Sequence, residues 1–259
     1  MESSSHSEGQ PPLALRALGL AFGWASYFLA VRTILYLIGF LANRVVGTTI
    51  DGEGGGSSWL DAAWDLGLLA AFALPHSLLA RGPAKRLVLG RLPAWAERAV
   101  YGLIASLSLI FVMWQWRPLP APVWEFAPGS VSEAVAWGLF LIGWVLSFVA
   151  SWTLGHLQLF GLAPAVAWAR GRPLPEPTLV TRGLYARLRN PMYLGFLLGV
   201  WATPRMTAGH LLFAVAMTAY VLVGVRFEER SLAARFGPAY QDYCLRVPRW
   251  GVGRRATVC

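Results

Sequence analysis

The sequence predicts an all-α fold: a polytopic integral membrane bundle of about four full spans plus a C-terminal helical hairpin, with a C-terminal segment in the cytosol. Three observations carry this expectation. Hydrophobic residues make up 56% of the 259 residues and charged residues only 14%, against roughly a quarter charged in an average soluble domain. Four apolar stretches approach or exceed the roughly 20 residues that a spanning helix needs. Basic residues cluster in alternate connections, the distribution that orients a membrane protein.

The elements follow in order. Residues 1–12 are polar and are expected to be a disordered leader. Leu13–Leu41 is too long for the core of a signal peptide and reads as a retained span. The glycine-rich loop IDGEGGGSSW leads to the second span, Trp59–Ala80. The third is Ala99–Trp116, followed by the proline-rich RPLPAPVWEFAPGS and a fourth, Ala134–Phe160. Met192–Thr203 is apolar but short: as a helix it rises about 18 Å, less than a hydrocarbon core of about 30 Å. It reads as the partial first arm of a hairpin, broken at Pro204. The second arm runs from Ala208 to Phe236, where Gly237-Pro238 stops it. Its length of about 43 Å makes the last turns project from the bilayer.

Charge gives the orientation. Arg81, Lys85, Arg86, Arg91 and Arg98 fill the loop at 81–98, and Arg170, Arg172, Arg182, Arg187 and Arg189 that at 170–189. Seven more arginines follow residue 225, whereas the other two loops hold one each, Arg44 and Arg117. Four spans and a hairpin put every basic segment on one side, the cytosol. Because these residues sit between apolar runs, the net charge of +9 does not point to nucleic acid. Cys244 and Cys259 fall on the cytosolic side, where thiols are expected to stay reduced. Arg32, inside the first span, is expected to snorkel or to pair with Asp61 or Asp65.

Two segments carry polar chemistry. PTLVTRGLYARLRNPMYLG, Pro177 to Gly195, is basic and aromatic, and Asn190 before Pro191 is biased away from helix. FEERSLAARFGPAYQDYCLRVP, Phe227 to Pro248, places Glu228 and Glu229 at the end of the last long helix. The hairpin returns that acidic pair to the face holding Arg189 and Tyr193, where carboxylates, guanidinium and phenol can hold a zwitterionic cofactor. The same residues also read as membrane anchors and a solvated helix face, with Glu229 pairing Arg226 one turn back. His76, His156 and Gln158 lie near the cytosolic ends of spans. Ionisable groups there are functional suspects, as pocket lining, as a base, or as paired haem ligands; helix–helix hydrogen bonding is the alternative. His210 reads as structural.

The pattern G-x-Y-x-x-x-R-x-P-x-Y-x-G, a hairpin, then E-E-x-x-L-x-x-x-F-G-x-x-Y-x-x-Y-x-x-x-V-P resembles the isoprenylcysteine carboxyl methyltransferase family. Here it reads GLYARLRNPMYLG and EERSLAARFGPAYQDYCLRVP, within residues 177–248. FALPHSLLARGPAKR, WQWRPLP, GHLQLFGL and WATPRMTAGHLLFA are similar to its bacterial group that converts methanethiol to dimethyl sulfide. The resemblance implies S-adenosyl-L-methionine as cofactor, a small thiol as substrate and a site facing the cytosol from the cytoplasmic membrane. It implies cofactor contacts by Leu179, Val180, Tyr185, Arg189, Asn190, Pro191, Tyr193 and Glu228. His76, His156, Gln158 and Arg226 are then candidates for the thiol pocket, and Glu228, Glu229, His76 and His156 for the base. Residues 13–169 form the expected bundle, 170–250 the cofactor region with its hairpin, and 251–259 a tail. The family usually has R-H-P where this chain has Arg189-Asn190-Pro191, and prenylcysteine enzymes place an arginine where this chain has Gly224. The alternatives are another lipophilic acceptor, such as a prenylcysteine or a phospholipid, and a non-catalytic haem or redox-assembly protein.

Overall fold

A computed structural model describes residues 12–52, 58–80 and 82–251. The expected leader, apart from Pro12, and the expected tail, apart from Gly251, lie outside the described residues. Five described helices are long and apolar enough to cross a membrane: α1 (Leu13–Ala42), α2 (Trp59–Ala80), α4 (Ala94–Gln115), α5 (Val131–Thr153) and α9 (Ala208–Phe236). Between them lie α3 (Gly82–Val88), α6 (His156–Leu159), α7 (Leu162–Ala169) and α8 (Pro191–Trp201). A short 3-10 turn at Gly183–Ala186 precedes α8, and α10 (Pro238–Arg246) follows α9. The polytopic helical bundle expected from the sequence is the fold found.

Three local expectations need correction. The fourth span stops at Thr153, because Gly155 takes a positive φ of 91° and turns the chain into α6. His156 and Gln158 therefore sit on a separate turn beyond the span. Arg32 does not reach Asp61 or Asp65: Arg117 bridges both, its side chain to Asp61 at 3.1 Å and its backbone N–H to Asp65 Oδ1 at 3.0 Å. Cys244 is disulfide-bonded, and the sequence's one other cysteine, Cys259, lies outside the described residues. Compartment sets an average redox poise, whereas pairing depends on the local approach of two sulfurs.

The hairpin is more than a partial arm. Its tip carries β2 (Arg205–Thr207), which pairs antiparallel with β1 (Pro122–Glu125) in the α4–α5 loop. That loop lies at the opposite end of the bundle from the basic loop at 81–98. An α8 of 11 residues therefore completes its crossing through extended residues 202–207. Backbone in that form needs partners at membrane depth. It finds them in Trp124 Nε1, which donates to the Thr203 carbonyl at 3.0 Å, and Phe126 N–H, which donates to that of Pro204 at 2.9 Å.

The same end is pinned by Asp51. Its carboxylate accepts from Thr207 Oγ1 and from Asn43 Nδ2, the latter at 2.9 Å. Trp116 Nε1 adds a bond of 3.2 Å to the Ile50 carbonyl. Phe40, Leu41, Val112, Met113 and Phe213 form the central core.

The closest helix pair is α5 with α8, and glycine permits it. A Cβ on Gly143 would run into the backbone of Gly199 and stand 2.7 Å from the Gly195 carbonyl. Close approach of this kind replaces the hydrophobic drive that lipid does not supply. The expected outcome for Gly143→Val is a loss of about 1–3 kcal/mol, the usual overpacking range, seen as a lower thermal midpoint in detergent. Gly138→Ala on the same helix meets nothing within 4 Å and does not lower the midpoint.

Candidate functional site

The site is built where α9 leaves the bundle beside the start of α8. Pro191 occupies the first turn of α8, where its missing N–H costs nothing, and Asn190 caps it in a non-helical conformation. This brings Arg189, Asn190 and Tyr193 against the end of α9. Tyr193 donates its hydroxyl to Glu228 Oε2 at 2.5 Å. One residue on, Glu229 turns the other way and is buried. Its carboxylate accepts from Asn190 Nδ2 at 3.2 Å, faces Arg189 Nε at 3.6 Å and pairs with Arg249 Nη2. The pairing with Arg226 weighed from sequence is not formed; Arg226 is exposed.

A cavity of about 500 Å³ opens between α1, α2, α4, α8 and α9. Glu228, Tyr193, Lys85, Glu97 and Arg98 line its outer part, with Lys85 and Glu97 paired at 2.9 Å. Deeper in, Phe72, His76, Tyr101 and Tyr220 line it. Tyr220 and Glu228 lie eight residues apart on α9, so the two levels differ by about 12 Å along the helix. Between them Gly224 lines the wall, as Gly102 does from α4; a Cβ on either meets nothing within 4 Å, so both leave open volume. At the deep level both ring nitrogens of His76 meet phenols: Nδ1 stands 2.6 Å from the Tyr220 hydroxyl and Nε2 2.9 Å from that of Tyr101.

The sequence-predicted residues separate accordingly. His76, Tyr193 and Glu228 line the cavity; Glu229, His156, Gln158 and Arg226 do not. His156 is 4% exposed, with Nδ1 at 2.9 Å from Ser151 Oγ and its ring stacked on Trp152 and edged by Tyr27, Phe148 and Phe160. It backs Phe160, which does line the cavity. Gln158 Nε2 donates to the Pro175 carbonyl at 3.3 Å. Leu179 packs on a second core cluster formed by Tyr240, Tyr243, Cys244 and Val247 of the C-terminal segment. Tyr185 is buried, and its carbonyl accepts from Tyr243 Oη at 2.7 Å. Val180 is half-buried and Pro191 buried. Burial pushes the Tyr185 phenol above its ordinary value, with the Glu228 charge adding to it, and burial moves Tyr243 up to about 12.

Sequence reasoning missed Tyr101, Tyr220, Lys85 and Arg249. One signal was available: Tyr220, Gly224, Glu228 and Ser231 recur at i, i+4, i+8 and i+11, one face of a helix, and all four line the cavity.

Residues 131–239 match the phospholipid methyltransferase family. That match covers the α5–α8–α9 core and the Tyr193–Glu228 pair, and with the spans it defines an integral membrane methyltransferase. Methanethiol S-methyltransferase 2 of Bradyrhizobium diazoefficiens is 43% identical over 88% of this chain and 88% of its own length. Methanethiol S-methyltransferase of Mycobacterium tuberculosis is 40% identical over 88% of this chain and 93% of its own. A more distant relative, Nurim of Sus scrofa, is 28% identical over 85% of this chain and 88% of its own. No solved structure matches. The chain belongs to the membrane methyltransferase family that includes the methanethiol S-methyltransferases.

Burial holds the His156 imidazole neutral, its pKa below the ordinary 6.5. The unfolded chain binds the proton first as pH falls, so this stability is full above about pH 6.5 and is lost as pH drops through that value toward the lowered folded pKa. The expected outcome is a thermal midpoint that falls between about pH 7.5 and 5.5, with a shallower fall in His156→Phe than in the parent protein.

Proposed function

We propose that the chain is an S-adenosyl-L-methionine-dependent thiol S-methyltransferase of the cytoplasmic membrane that converts methanethiol to dimethyl sulfide, with its cavity mouth facing the cytosol. The observation that carries this reading is the two-level cavity: a charged outer level at Tyr193–Glu228 and an aromatic inner level at His76. The relatives named for methanethiol share about 40% of this chain's residues over most of its length.

The lining suits the cofactor. Glu228, with Tyr193 bound to it, offers a carboxylate to an α-amino group, and Lys85 and Arg98 offer cations to an α-carboxylate. The openings at Gly102 and Gly224 leave room toward the inner level. Leu179, Val180, Tyr185, Asn190 and Pro191, which the sequence pattern named for the cofactor, do not line this cavity. When bound, the cofactor supplies a methyl group on a sulfonium. The chain's own tasks are to hold the acceptor sulfur in line, exclude water and remove the thiol proton, because the thiolate is the nucleophile. Positioning of this kind is worth about 7–11 kcal/mol of a barrier. A small apolar thiol partitions into lipid and suits the Phe72-lined inner level. Glu229, locked between Arg189 and Arg249, holds the site's shape instead of taking a proton. Haem ligation is disfavoured, because both nitrogens of His76 are already committed to tyrosine hydroxyls.

Purified protein supplied with methyl-labelled S-adenosyl-L-methionine and methanethiol is expected to release labelled dimethyl sulfide; label found only on lipid would replace the thiol reading. Glu228→Gln and Tyr193→Phe are expected to weaken cofactor binding roughly tenfold or more, a loss of about 1.4 kcal/mol, measured by calorimetry without acceptor. Asn190→His is expected to keep turnover within about tenfold, or about 1.4 kcal/mol of barrier, with no new inflection in the pH–rate profile.

A further inference from the structure

The inner level of the cavity holds a hydrogen-bonded chain of three side chains from three different helices. Tyr220 comes from α9, His76 from α2 and Tyr101 from α4. All three line the cavity and all are half-buried, so a ligand reaches them. Tyr101 also donates to the backbone carbonyl of His76 itself, at 3.2 Å. That second contact favours one direction of the chain. A neutral imidazole has one N–H and one lone pair. When the Tyr101 hydroxyl proton goes to the carbonyl, its oxygen accepts from Nε2–H, and the lone pair stays on Nδ1. Nδ1 then accepts the Tyr220 hydroxyl proton across the shorter gap of 2.6 Å. At the far end Tyr101 donates to the protein's own backbone, and at the near end Tyr220 lines the cavity.

We propose that Tyr220 is a catalytic residue that receives the proton of the acceptor thiol and passes its own to His76, with Tyr101 as the positioning residue that holds the imidazole in the accepting tautomer. The inference rests on the thiol reading above. The acceptor S–H bond breaks and its proton forms a bond to the Tyr220 oxygen, as the Tyr220 O–H proton moves to His76 Nδ1. The thiolate electron pair then forms a C–S bond to the methyl of the S-adenosyl sulfonium donor. The donor's own C–S bond breaks, leaving its pair on a neutral thioether sulfur. The imidazolium returns its proton through Tyr220 to water at the cavity mouth. The charged and titratable groups facing this path are Lys85 from α3, Glu97 and Arg98 from α4, Tyr193 from α8 and Glu228 from α9. Tyr193 is already bound to Glu228 and Lys85 to Glu97, at 2.5 and 2.9 Å. The relay therefore takes the proton without drawing a fixed carboxylate from the outer level.

A proton relay matters in proportion to how tightly the acceptor holds its proton. Ethanethiol and trifluoroethanethiol have nearly the same shape, but fluorination makes the second far more acidic. Tyr220→Phe is expected to lower kcat on ethanethiol about a hundredfold, the usual worth of a positioned base. On trifluoroethanethiol at pH 8 the loss is expected to stay below about threefold. Both KM values, and the calorimetric affinity for S-adenosyl-L-methionine without acceptor, are expected to be unchanged. Tyr101→Phe is the second variant, with an acceptor-selective loss of about tenfold. Equal losses on the two thiols in both variants would show packing roles only and overturn the relay, as would no loss on either. If the parent protein methylates neither thiol, the thiol reading fails and the relay with it. Activity on both thiols without acceptor selectivity removes the relay alone.

Discussion

The end of this molecule proposed to hold the cofactor depends on one buried carboxylate. Glu229 is 3% exposed, and such a charge is tolerable in a protein interior only when paired. Two segments distant in sequence supply its partners: Arg189 and Asn190 before α8, and Arg249 beyond α10. The backbone adds a tie, with Arg189 N–H donating to the Pro248 carbonyl at 3.0 Å. The C-terminal segment is thereby folded back under the start of α8, and Tyr240 and Tyr243 close the cluster beneath it. Since Glu228 precedes Glu229, fixing one inward forces the other toward the cavity, where Tyr193 meets it. The acidic pair thus divides its work, with Glu229 setting geometry and Glu228 presenting charge.

The bilayer imposes the complementary constraint. Polar groups at membrane depth need partners within the protein. The inner level of the cavity meets this with phenols and an imidazole, which can be neutral and satisfied together. The outer level, about two turns of α9 further out, carries the formal charges. A methyl donor that is itself a cation and an acceptor that is volatile and apolar have opposite solvent preferences. In the proposed function, the gradient along α9 from Tyr220 to Glu228 would serve both from one helix face.

The spans were legible because their signal is local: about 20 apolar residues identify a span without knowledge of neighbours. The bounds of α2, and the stop of α9 at Gly237-Pro238, follow from that signal and from cap chemistry. Gly155 was visible too, but one glycine in an apolar run does not announce a positive φ. The fourth span was therefore read through to Phe160, and His156 was placed at its end. The β1–β2 pairing was hidden, since Pro122–Glu125 and Arg205–Thr207 are separated by four α-helices and neither is long enough to show alternation. Within the site, Tyr193 and Glu228 were readable from a pattern that keeps sequence neighbours together. Tyr101 and Arg249 were not, because each matters through a partner far along the chain.

Asn190 shows how these levels meet. Arg189, Arg249 and Glu229 leave this corner with one more positive than negative charge. A titrating imidazole at position 190 would add a second positive charge whenever it took a proton, next to a site proposed to hold a sulfonium. The amide instead donates to Glu229 and stays neutral at every pH of interest. What this position supplies is a hydrogen bond to the buried carboxylate, and asparagine supplies it without titrating. The proposed proton acceptor, His76, stands at the deeper level between two phenols and away from the Glu229 corner.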